Sequence, residues 1–332
     1  MAKPVTILSI DGGGMRGIIP ALLLAEIERR TQKPISQLFN LIAGTSTGGI
    51  LALGMVKPDA HGLSAYSAQQ GIALYETQGE RIFSRSIWHR IHAVDNATEE
   101  RYPSQGIETV LDEYFGETRL KDALTDVLIT SYEIERRMAF FFKSRKAKQD
   151  PTYDFPMKKV ARATSAAPTY FEPVKIESPG VNDYYALVDG GVHSNNPAMC
   201  ALVEAKVAFP DADDFLVVSL GTGETTRPIL YDQAKDWGLV GWVRPLIEVM
   251  FDGMINTVDY QLRQLLPDRE GVQRYYRFQA RLDEKSGDLD NTDRLSLRDL
   301  RLLAEAVIRD KSPDLDALCK QLVAANTIPT QN

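Results

Sequence analysis

The sequence predicts an α/β protein, a three-layer α/β/α sandwich on a largely parallel central sheet. Short β-branched runs alternate with segments whose apolar residues recur at helical spacing, an order that places helices on both faces of parallel strands. The first two strand-to-helix junctions are glycine-rich turns, as expected where strand ends come together at one edge of such a sheet. At 332 residues, 44% hydrophobic and 25% charged, the chain can bury a full core.

Val5–Ile10 is a β-branched run closed by glycines, and residues 18–30 then carry apolar side chains at helical spacing. A second unit repeats the pattern, with a strand over 39–43, a tight turn over 44–49 and a helix beginning at 50–55. Further strands are predicted over 127–134, 138–142, 184–188, 215–220 and 275–282, and helices over 105–114, 197–208, 297–308 and 315–323. Residues 79–104 are the least regular, a length that inside a compact domain suggests a lid or binding loop. No internal repeat or low-complexity tract occurs. The expectation is one domain over 1–332, with the motif-bearing core at about 5–223 and an extension over 224–332.

The formal net charge of −7 argues against a nucleic-acid polymer as partner, since phosphate backbones are held by surplus Lys and Arg. It argues equally against adhesion to anionic lipid by charge alone. The two cysteines, Cys200 and Cys319, are far apart, which suggests neither a disulfide framework nor a zinc site and fits a reducing cytoplasm. The N-terminal run stops at Asp11 without the longer apolar region of a signal peptide, so the expected mature chain starts here. The apolar run over 18–25 is far shorter than the roughly 18 to 20 residues a membrane span needs.

Gly44-Thr45-Ser46-Thr47-Gly48 matches G-x-S-x-G where a buried strand ends and a helix begins. That chemistry requires a serine raised on a sharp turn, with glycines where a Cβ would collide with strand and helix. The helix N-terminus behind Ser46 favours developing negative charge. Ser46 is therefore the candidate nucleophile.

Asp11-Gly12-Gly13-Gly14-Met15-Arg16-Gly17 follows the first strand and contains G-x-G-x-x-G spacing. A dinucleotide site expects an acidic residue at the end of the second strand, and here that strand runs directly into Ala43-Gly44-Thr45-Ser46. No G-K-[ST] follows, which removes the Walker alternative. What remains is a turn of exposed N–H groups at a helix N-terminus, an anion receptor. In acyl transfer, such donors each lower the barrier by about 3 to 4 kcal/mol. Gly12, Gly13 and Gly14 are assigned to an oxyanion hole, with Arg16 as the positive group that fixes the loop.

A serine hydroxyl needs a partner to take its proton. Only His61, His89, His92 and His193 occur, so the order Ser, then Asp or Glu, then His survives only if His193 serves. His193 lies four residues after Asp189, an awkward spacing for one loop to present both side chains to Ser46. Asp189-Gly190-Gly191 itself ends a predicted strand, and a partly desolvated carboxylate has a raised pKa and can accept the serine proton directly. Both bases remain open at this point.

Together these blocks resemble the patatin-like phospholipases. The likeness lies in D-G-G-G-x-R-G over 11–17, G-T-S-T-G over 44–48 and D-G-G over 189–191, in the family's order. Ala163-Thr164-Ser165-Ala166-Ala167-Pro168, followed by Tyr170-Phe171, is a fourth block, and the whole covers roughly 5–223. The resemblance implies a Ser46-Asp189 dyad, an oxyanion hole from the first glycine loop, and motif glycines Gly17, Gly44, Gly48, Gly190 and Gly191. It also implies no metal or other cofactor, and phospholipid, lysolipid or related acyl-ester substrates. The chain further resembles bacterial members that act in antiphage defence, where a cyclic nucleotide switches on membrane degradation. That likeness rests on no nameable nucleotide-binding residue.

A lipid hydrolase must reach an interface, and residues 81–91 interleave basic, aromatic and apolar groups as interfacial segments do. They are the first candidate for transient peripheral membrane contact. Residues 237–254 are a second apolar stretch, expected as a buried helix. Arg136-Arg137 and the lysines of 143–148 can hold an anionic effector or form a solvated face, and the solvated face is favoured. A homo-oligomer stays open. The competing reading, from another class, is a non-catalytic ligand sensor or scaffold whose glycine loops bind an anion.

Overall fold

The computed structural model describes residues 3–83, 102–225, 228–282 and 288–326. In chain order, β1 (Val5–Ile10) is followed by α1 (Ile18–Thr31), β2 (Leu41–Gly44), α2 (Thr47–Val56), α3 (Ala68–Ile82) and α4 (Ser104–Phe115). Next come β3 (Asp126–Glu133), β4 (Met138–Lys143), α5 (Ser144–Gln149), α6 (Met157–Thr164), β5 (Val174–Glu177) and β6 (Tyr184–Asp189). The chain continues through α7 (Gly191–Ser194), α8 (Ala198–Ala208), β7 (Phe215–Leu220), β8 (Glu224–Thr225), α9 (Tyr231–Ala234) and α10 (Leu239–Leu265). Then β9 (Tyr275–Phe278), β10 (Arg281–Leu282), α11 (Arg294–Asp310) and α12 (Ser312–Ala325) follow.

The main sheet has the order β5-β6-β3-β2-β1-β7-β9, with β4 also paired to β3. Its centre is parallel: β1 pairs with β2 and β7, β2 with β3, and β7 with β9. The flank made by β4, β6 and β5 is antiparallel. Every residue of β1 and β7 is buried, as expected for strands covered on both faces. One core cluster unites α1, α2, α4 and α6 on one face, and a second places α8 and the end of α10 on the other. This is the predicted α/β/α sandwich. The extension joins the same sheet, since β9 pairs with β7 and α11 packs on α1.

Register brings the motif loops together. The ends of β1 and β2 lie level, with Ile10 opposite both Gly44 and Leu220. Along β3, β2 pairs up to Ile129 from one direction, while β6 arrives from the other with Asp189 opposite Ser131. Because β4 occupies the far edge of β3, β2 and β6 meet end to end at Thr130.

Several expectations are corrected. The strand expected over 275–282 breaks after Phe278, because the Gln279 side chain turns back to accept the Gly223 N–H at 2.7 Å, and β10 pairs with β8 instead. Sequence reading missed α3, α6 and β5; α3 fills the beginning of the stretch expected to be irregular. The interfacial candidate over 81–91 lies outside the described residues beyond Phe83. The helix expected to be buried around 237–254 forms as α10, yet Leu246, Val249 and Met250 face solvent at 47%, 43% and 52% exposure. Among its described side chains Ile255 and Leu262 are buried further along, where it meets the sheet, with Leu266 just past its end. Among the described residues no helix is long and apolar enough to cross a membrane.

The crossing of α2 over β1 leaves no room for a side chain at Gly48, where a Cβ would lie 2.3 Å from the Ile10 carbonyl oxygen. Gly48→Ala must move backbone against backbone. Its urea midpoint is expected to fall by the equivalent of a few kcal/mol, with the slope of the transition unchanged.

Candidate active site

Ser46 stands between β2 and α2 with φ 55° and ψ −125°, a strained conformation for a residue bearing a Cβ. Two hydrogen bonds hold it there. Its N–H donates to Thr164 Oγ1 at 2.9 Å, and the carbonyl accepts from Ile50 at 3.1 Å as α2 begins. Gly44 permits the turn, since a Cβ there would lie 2.3 Å from the Gly48 carbonyl oxygen. The strain lifts the hydroxyl out of the helix and leaves Ser46 the partly exposed residue of the turn, flanked by buried Thr45 and Thr47.

Asp189, at the end of β6, is only 4% exposed. Its carboxylate accepts the Gly191 N–H at 2.7 Å and lies near enough to the Ser46 hydroxyl for that group to lower its pKa. Burial raises its pKa from 3.8 to about 7, and these two groups only partly oppose that rise. Gly190 has no space for a Cβ, which would meet Thr130 Oγ1 at 2.1 Å. Thr130 in turn hydrogen-bonds Thr45 at 2.7 Å, and Thr45 donates to the Ser194 carbonyl at 2.7 Å. A buried hydroxyl chain thus ties both loops to the strand where they converge.

His193 turns elsewhere. Its Nε2 donates to the Ser131 carbonyl at 3.0 Å, its ring meets Phe141 edge-on at 5.7 Å, and burial lowers its pKa. It makes no hydrogen bond to Ser46 or Asp189 among the described residues. Of the two candidate bases, the geometry brings Asp189 to the serine.

The first glycine loop lies against the elbow: a Cβ on Gly12 would approach Ser46 Cβ to 3.2 Å and Asn195 Oδ1 to 2.4 Å. The three glycines are not equivalent. Gly12 N–H already donates to the Asn195 carbonyl at 3.0 Å, while the N–H groups of Gly13 and Gly14 have no partner among the described residues. The set of free donors narrows to those two. Gly14 takes φ +56°, and a Cβ on it would strike the Leu289 carbonyl oxygen. Arg16 bonds back weakly to the Gly13 carbonyl at 3.4 Å, and burial lowers its pKa to about 10 against the opposing charges of Asp252 and others. Gly17 opens space for the Tyr75–Thr47 hydroxyl pair beside α2.

Several supporting residues escaped the sequence reading. Arg277 of β9 donates from Nη2 to Asp11 at 2.6 Å and from Nη1 to Ser219 Oγ at 2.8 Å, with both charged side chains buried. Desolvation raises the Asp11 pKa more than Arg277 lowers it. Thr222 donates to the Gly12 carbonyl at 2.6 Å, and Asn196 Oδ1 accepts from Ala198 N at 3.0 Å beneath Ser9 and Ser219. No local motif marks Arg277, because its partner lies 266 positions away. Thr164 had a signal, since it belongs to the fourth motif block, whose Ala166 carbonyl also accepts the Asp189 N–H at 2.9 Å.

The basic clusters prove to be engaged. Arg136 pairs with Asp183, Lys143 with Glu204, and Arg145 and Lys148 with Asp126, while Lys146 lies over the Tyr153 ring.

Removing one member of the Asp11–Arg277 pair leaves the other charge buried alone. Arg277→Met is expected to lose about 3 to 5 kcal/mol in urea unfolding. Asp11→Asn added to it recovers part of the loss, so a double-mutant cycle returns a favourable coupling; simple additivity would mean that the pair is idle.

Comparison with known proteins agrees with this geometry. The family model described as "Patatin-like phospholipase" matches residues 8–202. Patatin-like protein 4 of Arabidopsis thaliana is 30% identical over 92% of this chain and 83% of its own length. Patatin-like protein 2 of the same plant is 32% identical over 91% and 81%. A potato (Solanum tuberosum) relative named as a probable inactive patatin, patatin-3-Kuras 1, is 30% identical over 92% and 86%. With the family model covering more than half of the chain and the motif loops assembled at one sheet edge, the chain belongs to the patatin-like phospholipase family.

Proposed function

We propose that the chain is a lipid acyl hydrolase of the phospholipase A or lysophospholipase type, working through a Ser46–Asp189 dyad. The single observation that carries this reading is the strained serine elbow set beside the buried Asp189 carboxylate, whose pKa burial pushes up to about 7. A carboxylate raised in this way is more basic than one in solution and better able to take a proton in the transition state.

The first step forms a bond between Ser46 Oγ and the acyl carbonyl carbon while the serine proton passes to Asp189. The tetrahedral oxyanion lies against the free N–H groups of Gly13 and Gly14 and the N-terminus of α2. Collapse breaks the ester bond, and the leaving alkoxide takes the proton back from Asp189. Water then gives its proton to Asp189 and attacks the acyl-Ser46 carbonyl, and the released serine oxygen recovers that proton as the fatty acid departs. Atoms and charge balance over the two halves with no further reactant.

Substrate presentation is assigned to transient contact with a lipid surface, for which the outward Leu246, Val249 and Met250 of α10 supply an apolar face. Switching by a cyclic nucleotide and a role in antiphage defence rest on the sequence resemblance alone.

Fatty-acid release from phospholipid vesicles, with and without cyclic di- and trinucleotides, tests the reading. Ser46→Ala and Asp189→Asn are each expected to abolish release, and His193→Ala to leave it near normal. A fluorophosphonate should label wild type and not Ser46→Ala; a protein that binds anions without labelling would instead be the sensor or scaffold.

The pH dependence has a definite sign. Turnover should rise as Asp189 ionises, with half-maximal kcat/KM near pH 7. In the folded state Asp189 keeps its proton to higher pH than in the unfolded chain, so its effect on stability worsens as pH climbs from 3.8 to about 7. Asp189→Asn is therefore expected to melt higher than wild type at pH 8 while being inactive. A lower Tm would mean that the carboxylate is structural.

A further inference from the structure

Helix α2 is buried over most of its surface, yet Ser46 at its start, Ile50 and Gly54 each keep partial exposure. Spaced by four, they form one line along the helix. The far part of that line is the floor of an apolar cleft, walled by Leu51 and Met55 of α2, Leu74 of α3, and Leu111 and Phe115 of α4. The cleft is narrow and open to solvent along one side.

Gly54, like Gly253 of α10, is a helix-interior glycine that packing does not explain. Glycine in a helix interior is destabilising relative to alanine, and it is usually kept where a side chain would collide. Gly44 and Gly48 are of that kind. A Cβ on Gly54 meets no heavy atom within 4 Å. Opposite, Gly71 of α3 lowers the other wall, where a Cβ would come within 3.3 Å of Leu51 Cδ2. Gly54 thus faces a slot that the fold itself leaves unfilled, while Gly71 lets α3 close on Leu51 at its side.

We propose that this cleft is the acyl-chain subsite: the fatty chain esterified to Ser46 runs along α2 over Ile50 and Gly54, between α3 and α4. The proposal rests on the acyl-hydrolase reading and adds to it where the chain lies and how long it can be. Eight helical residues from Ser46 to Gly54 advance about 12 Å, the reach of a medium-length chain. Beyond Gly54 the slot is stopped by polar contacts, with Tyr66 Oη and Lys57 Nζ both donating to the Tyr114 carbonyl, at 2.7 and 2.6 Å. An apolar chain end gains nothing by displacing them, so the stop sets a ceiling on chain length.

The test is the chain-length profile of p-nitrophenyl ester hydrolysis, from acetate through butyrate and octanoate to decanoate. In Gly54→Phe the ring lies in the slot; kcat/KM for octanoate and decanoate is expected to fall by about tenfold or more while acetate turnover is unchanged. Retained acetate turnover also reports that the variant folds. Gly71→Leu fills the slot from the other wall and should act in the same direction. Gly54→Ala should raise Tm and trim only the longest esters. Wild type active on all esters, with both filling variants keeping its profile or losing short and long esters in parallel, would overturn the subsite and leave the hydrolase standing. Wild type inactive on every ester, with no fluorophosphonate labelling, would remove both.

Discussion

Two strands approaching one edge of β3 from opposite directions create the site. Wherever β2 stops, β6 must stop as well, and the residue between them, Thr130, has hydroxyl and backbone contacts to both loops. The serine elbow and the aspartate are adjacent because two ladders meet end to end, not because any segment of chain connects them. This explains why glycine is required at positions 44, 48 and 190: each lies where backbone or a short side chain already occupies the space of a Cβ.

That convergence also supplies the electrostatics. A carboxylate at the end of an interior strand is removed from water by the layers above and below, so its proton is held more tightly than in solution. The same burial that raises the Asp189 pKa works against stability once the carboxylate ionises. At the neighbouring loop the balance is struck differently. Asp11 is buried as completely, and Arg277 answers it with a hydrogen-bonded charge at the base of the glycine loop. Two aspartates at strand ends in one sheet thus differ in whether the nearest group is a serine hydroxyl or a guanidinium.

The extension beyond residue 223 matters to the same edge. It contributes β9 with Arg277, the Gln279 side chain that bonds Gly223, and the Leu289 carbonyl that accepts the Met15 N–H over the glycine loop. The family model ends at 202, so the loop typical of the family is braced in part by segments outside it.

The sequence by itself determined the fold class, the strand-to-helix placement of Ser46, the strand-end placement of Asp189 and the glycine loop between β1 and α1. Those are properties of local periodicity and of glycine and β-branched residues, whose conformational preferences act within a few positions. Only the tertiary structure decided between Asp189 and His193, because four residues of separation say nothing about which side chain faces the elbow and which turns to Ser131. Only it withdrew Gly12 from the free donors and found Arg277, since both depend on partners more than a hundred positions away. Burial is likewise not local: α10 looked like an interior helix from its composition, and whether Leu246 or Leu262 meets the core was settled by where the sheet lies beneath it.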